Sequence, residues 1–179
     1  SFTAALYTAA KAVAPLYDIN GSWHIDQATK TVTAVVNFKS LGTVTNPKLY
    51  VAINEKLTTK NKKSNGETQF FDVCKKMLPT QSGTALTAST TWSSLSFTFK
   101  FNGNYRLPAN GQTTSYINDA TEHSVEEFTD LKVIVWIQGS DKKVYQAYNL
   151  TLSATPLNIE NADISVKNIT IYPNPATDN

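Results

Sequence analysis

The sequence predicts an all-β chain, an antiparallel sandwich of immunoglobulin or fibronectin type with about seven strands and a short N-terminal helix. Three observations carry this. Apolar and polar residues alternate in run after run, which places every second side chain on one sheet face. Clusters of Gly, Asn, Ser and Pro separate the runs at fairly regular spacing. Strands do not alternate with helices, as a parallel α/β sheet would require. The absence of a Cys…Trp…Cys pattern excludes a true antibody-type domain.

The strongest run is Asp130 to Leu152, DLKVIVWIQGSDKKVYQAYNLTL. Leu131, Val133, Val135 and Ile137 share one face, and Ile134 and Trp136 make the other partly apolar. A strand apolar on both sides belongs inside its sheet or under another layer. Gly139-Ser140-Asp141-Lys142 supplies a turn into a second run from Val144 to Leu152, so a long central hairpin is expected.

In chain order, Ser1 to Ala14 reads as a helix, rich in Ala and stopped by Pro15. Phe2, Leu6, Ala9, Ala10 and Val13 form a modest apolar stripe. So short a helix is marginal alone and needs something to pack on, the sandwich or a domain lying before it. Tyr17 to Ile25 suggests a first strand broken around Asn20-Gly21. Val32, Ala34, Val36 and Phe38 mark a half-buried strand, and Leu49, Val51 and Ile53 another. Lys56 to Gly66 is polar and basic and reads as a solvated loop. Phe70 to Leu78 fits a helix face or a strand, and its strand neighbours and Pro79 favour the strand. Leu95, Phe97, Phe99 and Phe101 give the cleanest alternation. Asn102 to Phe128 is a long polar loop with a short ordered turn. The expected organisation is a helix over 1–15, a sandwich over 16–154, a linker over 155–167 and a separate start at 168–179.

The chain has 179 residues, enough for one good core and a small appendage. Its formal net charge is +2, from 16 basic and 14 acidic residues, which argues against a nucleic-acid surface. The single cysteine, Cys74, rules out an internal disulfide. No apolar run approaches the roughly 18 residues of a membrane helix. The start, Ser-Phe-Thr, has neither Met nor a charged-then-apolar leader, and the chain reads as a piece of something longer.

Candidate chemistry is sparse. His24 and Asp26 share a strand face, but a metal needs three or four convergent ligands. Asp119, Glu122, His123, Glu126 and Glu127 form an acidic cluster without the spacing of a calcium loop, and read as a solvated loop. No G-x-S-x-G, H-E-x-x-H or P-loop occurs. Cys74 reads as a buried structural thiol. Trp23, Trp92 and Trp136 raise a sugar-binding platform, which requires flat exposed aromatics; core packing is the plainer expectation for Trp136. Asn149-Leu150-Thr151 and Asn168-Ile169-Thr170 match the short glycosylation sequon. The reading is a non-enzyme with no cofactor and no metal.

The last residues are the most specific feature. Ile171, Tyr172, Pro173, Asn174, Pro175, Ala176, Thr177 and Asp178, followed by Asn179, resemble the opening of the C-terminal sorting domain of type IX secretion cargo. That resemblance implies a secreted or outer-membrane cell-surface protein whose partner is the type IX machinery. Only the first residues of such a domain are present. A second resemblance covers more of the chain. FDVCKKMLPTQSGTAL and LKVIVWIQGSDKKVYQAYN, in that order, are similar to blocks of the outer-membrane-protein-28-like family of Bacteroidota surface proteins. It implies a β-sandwich that often follows a thioredoxin-like domain. The chain departs from the pattern at Cys74 and has no C-x-x-C, so no redox activity follows. The implied role is presentation or protein interaction. The alternatives are a carbohydrate-binding module of an exported hydrolase, or an accessory domain of a thioredoxin-like protein.

Overall fold

The structure, a computed structural model, describes residues 3–60, 65–107 and 116–157. Two antiparallel sheets pack face to face, as the alternation predicts. The first runs β11 (Thr151–Leu152), β1 (Tyr17–Asp26), β2 (Thr31–Ser40), β6 (Ser93–Lys100). The second runs β10 (Val144–Asn149), β9 (Leu131–Gln138), β3 (Lys48–Thr58), β4 (Phe70–Leu78), with β5 (Thr84–Ala85) extending the β4 side of β3. A separate parallel ladder joins β7 (Asn104–Tyr105) to β8 (Glu122–His123). Among the described residues seven strands are six residues or longer, and they make the sandwich.

The core is the sum of the inward rows. Val32, Ala34 and Val36 of β2 face Leu49, Val51 and Ile53 of β3 and Val133, Val135 and Ile137 of β9, and all nine are fully buried. Each such aliphatic side chain larger than alanine contributes about 1.5–3 kcal/mol of burial. β9 is interior to its sheet, flanked by β3 and β10, as its two-sided apolar pattern requires.

β1 is one continuous strand, not the interrupted one expected at Asn20-Gly21. Gly21 sits at φ 151°, and a Cβ there would lie 2.1 Å from the Val35 carbonyl oxygen. Glycine lets the two backbones close without ending the strand. β3 likewise runs past the expected loop start at Lys56, because Leu57 and Thr58 pair with Phe71 and Phe70.

β4 is a strand with a bulge at Lys75, between the pairs Ile53–Lys76 and Asn54–Cys74. The extra residue shifts the parity of the strand. Cys74 therefore lies exposed opposite Asn54, which corrects the expectation of a buried thiol. After the Gly139–Lys143 turn, the second arm of the hairpin changes sheet. Leu150 is buried and donates its N–H to Val133 O at 2.9 Å. Beyond it, Thr151 and Leu152 pair parallel to Ser22 and Trp23 and close one side of the sandwich.

Helix α1 (Ala4–Lys11) starts at Thr3, whose hydroxyl accepts the Leu6 N–H at 3.3 Å. Of the expected stripe, Leu6 and Val13 are 56% and 73% exposed and Ala9 is exposed too, so the sandwich does not bury these three; Phe2 and the side chain of Ala10 lie outside what the structure describes.

Candidate functional site

One end of the sandwich carries a charged network that organises the long segment between β6 and β9. Glu55 continues the inward row Leu49, Val51, Ile53, and its side chain is fully buried. A carboxylate in that position needs a charged partner and several donors. The bulge supplies the partner by turning Lys75 inward, with Nζ 3.0 Å from Glu55 Oε2. Lys75 also donates to Ser124 O at 2.7 Å. The backbone N–H groups of Glu126 and Glu127 donate to the two Glu55 oxygens at 3.1 and 2.5 Å. Between these anchors Val125 is 1% exposed.

The neighbouring acids are spent in the same way. Glu126 accepts the N–H groups of Thr59 and Lys60 at 2.8 and 3.0 Å, fixing the chain where it leaves β3. Asp130 accepts Leu57 N–H at 3.0 Å. Glu122 pairs with Arg106 Nε at 2.7 Å, and this contact holds its carboxyl below the usual range. Asp119 pairs with Lys76. The cluster Asp119, Glu122, His123, Glu126 and Glu127 is thus not brought to one point. Among the described residues no three His, Cys, Asp or Glu side chains converge as a metal site.

An aromatic row lies over the network. Phe101 meets Phe99 and Phe128 edge to face at 4.9 and 5.5 Å, and His123 meets Phe128 at 5.1 Å and Tyr105 at 6.2 Å. Lys30 sits 4.8 Å over Phe128 and Lys60 5.0 Å over Tyr105. Desolvation, with the charges of Glu126 and Glu55, pushes Tyr105 up to about 12. Burial holds the His123 imidazole below its ordinary value. The carboxylates here take their hydrogen bonds from backbone, lysine and Arg106, so the arrangement holds a shape.

His24 and Asp26 do lie side by side, opposite Thr33 and Thr31. Each is engaged locally. His24 Nδ1 is 3.0 Å from Ser153 O, and Asp26 accepts Ala28 and Thr29 N–H groups at 2.8 and 3.2 Å, which lowers its carboxyl. They border an open groove of roughly 620 Å³ with Ile25, Thr31, Thr33 and Leu157.

The tryptophans divide three ways. Trp23 is in the core at 3% exposure, and Trp92 is 48% exposed with Lys39 Nζ 5.0 Å over its ring. Trp136 lies on the outer face of its sheet rather than in the core, because it is out of phase with the Val133, Val135, Ile137 row. It stacks on Tyr50 at 5.3 Å and 8°. The two rings cover one another's faces instead of lying side by side as a platform. Asn149 is exposed at the end of β10. Asn168 and the sorting-signal residues Ile171 to Asp178 lie outside the described residues.

No family model matches the chain, and no curated protein does. Among solved structures it is similar to HBP35 of Porphyromonas gingivalis, with a TM-score of 0.56 and 12% identity, over 89% of this chain and 49% of that one. A domain of the outer membrane lipoprotein Omp28 from the same organism matches with a TM-score of 0.47 and 12% identity, over 79% of this chain and 91% of that one. The HBP35 likeness shows a shared fold, and this chain spans about half the length of that protein's chain.

Proposed function

We propose that this chain is a non-catalytic β-sandwich module of an exported protein, displayed at the cell surface or secreted as cargo of the type IX system. Its role is presentation or protein interaction. The observation that carries the reading is the string Ile171-Tyr172-Pro173-Asn174-Pro175-Ala176-Thr177-Asp178, which resembles the start of a sorting domain and follows the last sandwich strand after a short interval. Two prolines fix φ and withdraw two amide donors there, which suits an extended recognition segment rather than a helix. The site geometry is compatible with a binding role, since Glu55 and Glu126 are engaged in holding loops, and Tyr105 stays exposed with Lys60 Nζ over its ring.

The test is delivery in a native host. One version of the gene stops after Thr155 and the other carries the complete C-terminus. The expected result is that the short version folds in the periplasm and stays there, while the long version reaches the surface or medium. Equal surface delivery of both versions overturns the sorting reading.

A further inference from the structure

A sandwich has four edge strands, and natural sheets guard them against pairing with other chains. Three of the four are guarded here. β4 carries the bulge at Lys75, a left-handed residue at Asp72 (φ 57°) and two lysines. β10 has a register shift between Val144 and Gln146. β11 is two residues long. β6 has none of these devices. It pairs with β2 through eight consecutive residues with no shift, no proline and no left-handed residue. Among the described residues nothing makes a backbone hydrogen bond to its other side.

Its side chains suit self-pairing. The outer row is Ser94, Ser96 and Thr98, small and uncharged, and Lys100 at the end is the only charge in the strand. Antiparallel pairing about a two-fold axis through Ser96 or Phe97 sets this row against itself. It places Lys100 opposite Trp92 or Ser94 of the copy, never opposite its own counterpart. On the inner side, Phe97 is 9% exposed while Leu95 and Phe99 are half-buried, with Lys76 Nζ 4.6 Å over the Phe99 ring, so the apolar surface an added strand covers is chiefly that of Leu95. A net charge of +2 opposes the approach of two copies only weakly.

We infer that β6 is a contact between two copies of this chain, pairing antiparallel so that the four-stranded sheet continues across a two-fold axis as eight strands. The contact is isologous, as closed dimers require. One strand pair buries less than the roughly 1,000 Å² of a stable interface. The dimer is therefore weak and forms with rising concentration, or where the protein is concentrated on a surface.

Sedimentation of the full 179-residue chain from micromolar to millimolar concentration tests this. The mass is expected to rise toward twice that of the monomer. A variant with Ser94→Lys, Ser96→Lys and Thr98→Lys is expected to stay monomeric, and so is the matching triple Glu variant, since every two-fold register opposes like charges. Mixing the two variants is expected to restore the dimer. Amide exchange on the unmodified chain gives a second readout that needs no variant, with β6 protection rising with concentration. A monomer at millimolar concentration with unchanged β6 exchange overturns the inference, as does a Lys variant that dimerises like the original.

Discussion

Replacing Glu55 by Gln leaves the Lys75 ammonium, 3% exposed, facing an amide. It also turns an amide N–H₂ toward one of the two backbone donors, Glu126 N–H or Glu127 N–H. Breaking a buried ion pair costs about 3–5 kcal/mol, and an unpaired buried donor costs about 1–3 kcal/mol. The two penalties share one network and do not add fully, so about 4–5 kcal/mol is expected. That is a large part of the roughly 5–15 kcal/mol that holds a domain together. Replacing both partners, Glu55→Leu with Lys75→Met, removes the stranded charge. It still orphans the two donors and Ser124 O, so about 2 kcal/mol of loss remains. The measurement is urea unfolding followed by tryptophan fluorescence, which includes buried Trp23, on the original chain, Glu55→Gln, the singles Glu55→Leu and Lys75→Met, and their double. A cost below about 1 kcal/mol for Glu55→Gln, or a double variant equal to the sum of the singles, refutes the account of Glu55 as the anchor of the 124–127 segment.

Two further outcomes are expected. Phe97→Ala should cost about 3–5 kcal/mol and Phe99→Ala markedly less, because Phe97 is buried at 9% exposure and Phe99 sits half-open at the sheet edge; equal losses in thermal unfolding contradict the edge position of β6. His123, whose folded value lies below the ordinary 6.5, favours the neutral ring in the folded state. Its contribution is present above that value and is lost as pH falls through the lower folded one. The melting temperature should therefore decline on acidification below about pH 6.5, and His123→Phe, which keeps the ring contacts, should remove that part of the decline; an unchanged pH profile in the variant contradicts it.

The sheet rows were legible because burial repeats every second residue. Val133, Val135 and Ile137 announce an inward row that the fold then buries completely. Cys74, expected buried as an unactivated thiol, is exposed instead, because one extra residue at Lys75 changes the parity of β4 and periodicity carries no sign of it. A signal did exist for the network. Glu55 falls in phase with Leu49, Val51 and Ile53, and a charge in an inward row demands a buried counter-charge. Its partners lie 20 and about 71 residues away in sequence, at Lys75 and in the 126–127 segment, so only the folded chain could name them. The acidic cluster shows the converse. Asp119, Glu122 and Glu126 are close in sequence and look like a group, yet each turns to a different strand or loop.

That dispersal explains how a sandwich can carry a long irregular segment at one end. Between Phe101 and Asp130 the described residues form only two two-residue strands and a short 3₁₀ turn. Sheet pairing cannot hold it, so side chains do. Glu55 and Lys75 fix its stretch from Ser124 to Glu127 from inside the core, Arg106 pairs with Glu122, and Lys76 reaches Asp119 from the edge. Apart from the Arg106–Glu122 pair, the charges that hold that segment have their partners on β3 and β4, the two strands joined through the bulge. The bulge that reverses the face of Cys74 is the same feature that turns Lys75 into the core. Removing one residue there to regularise β4 would restore the strand's parity and release the end of the sandwich together.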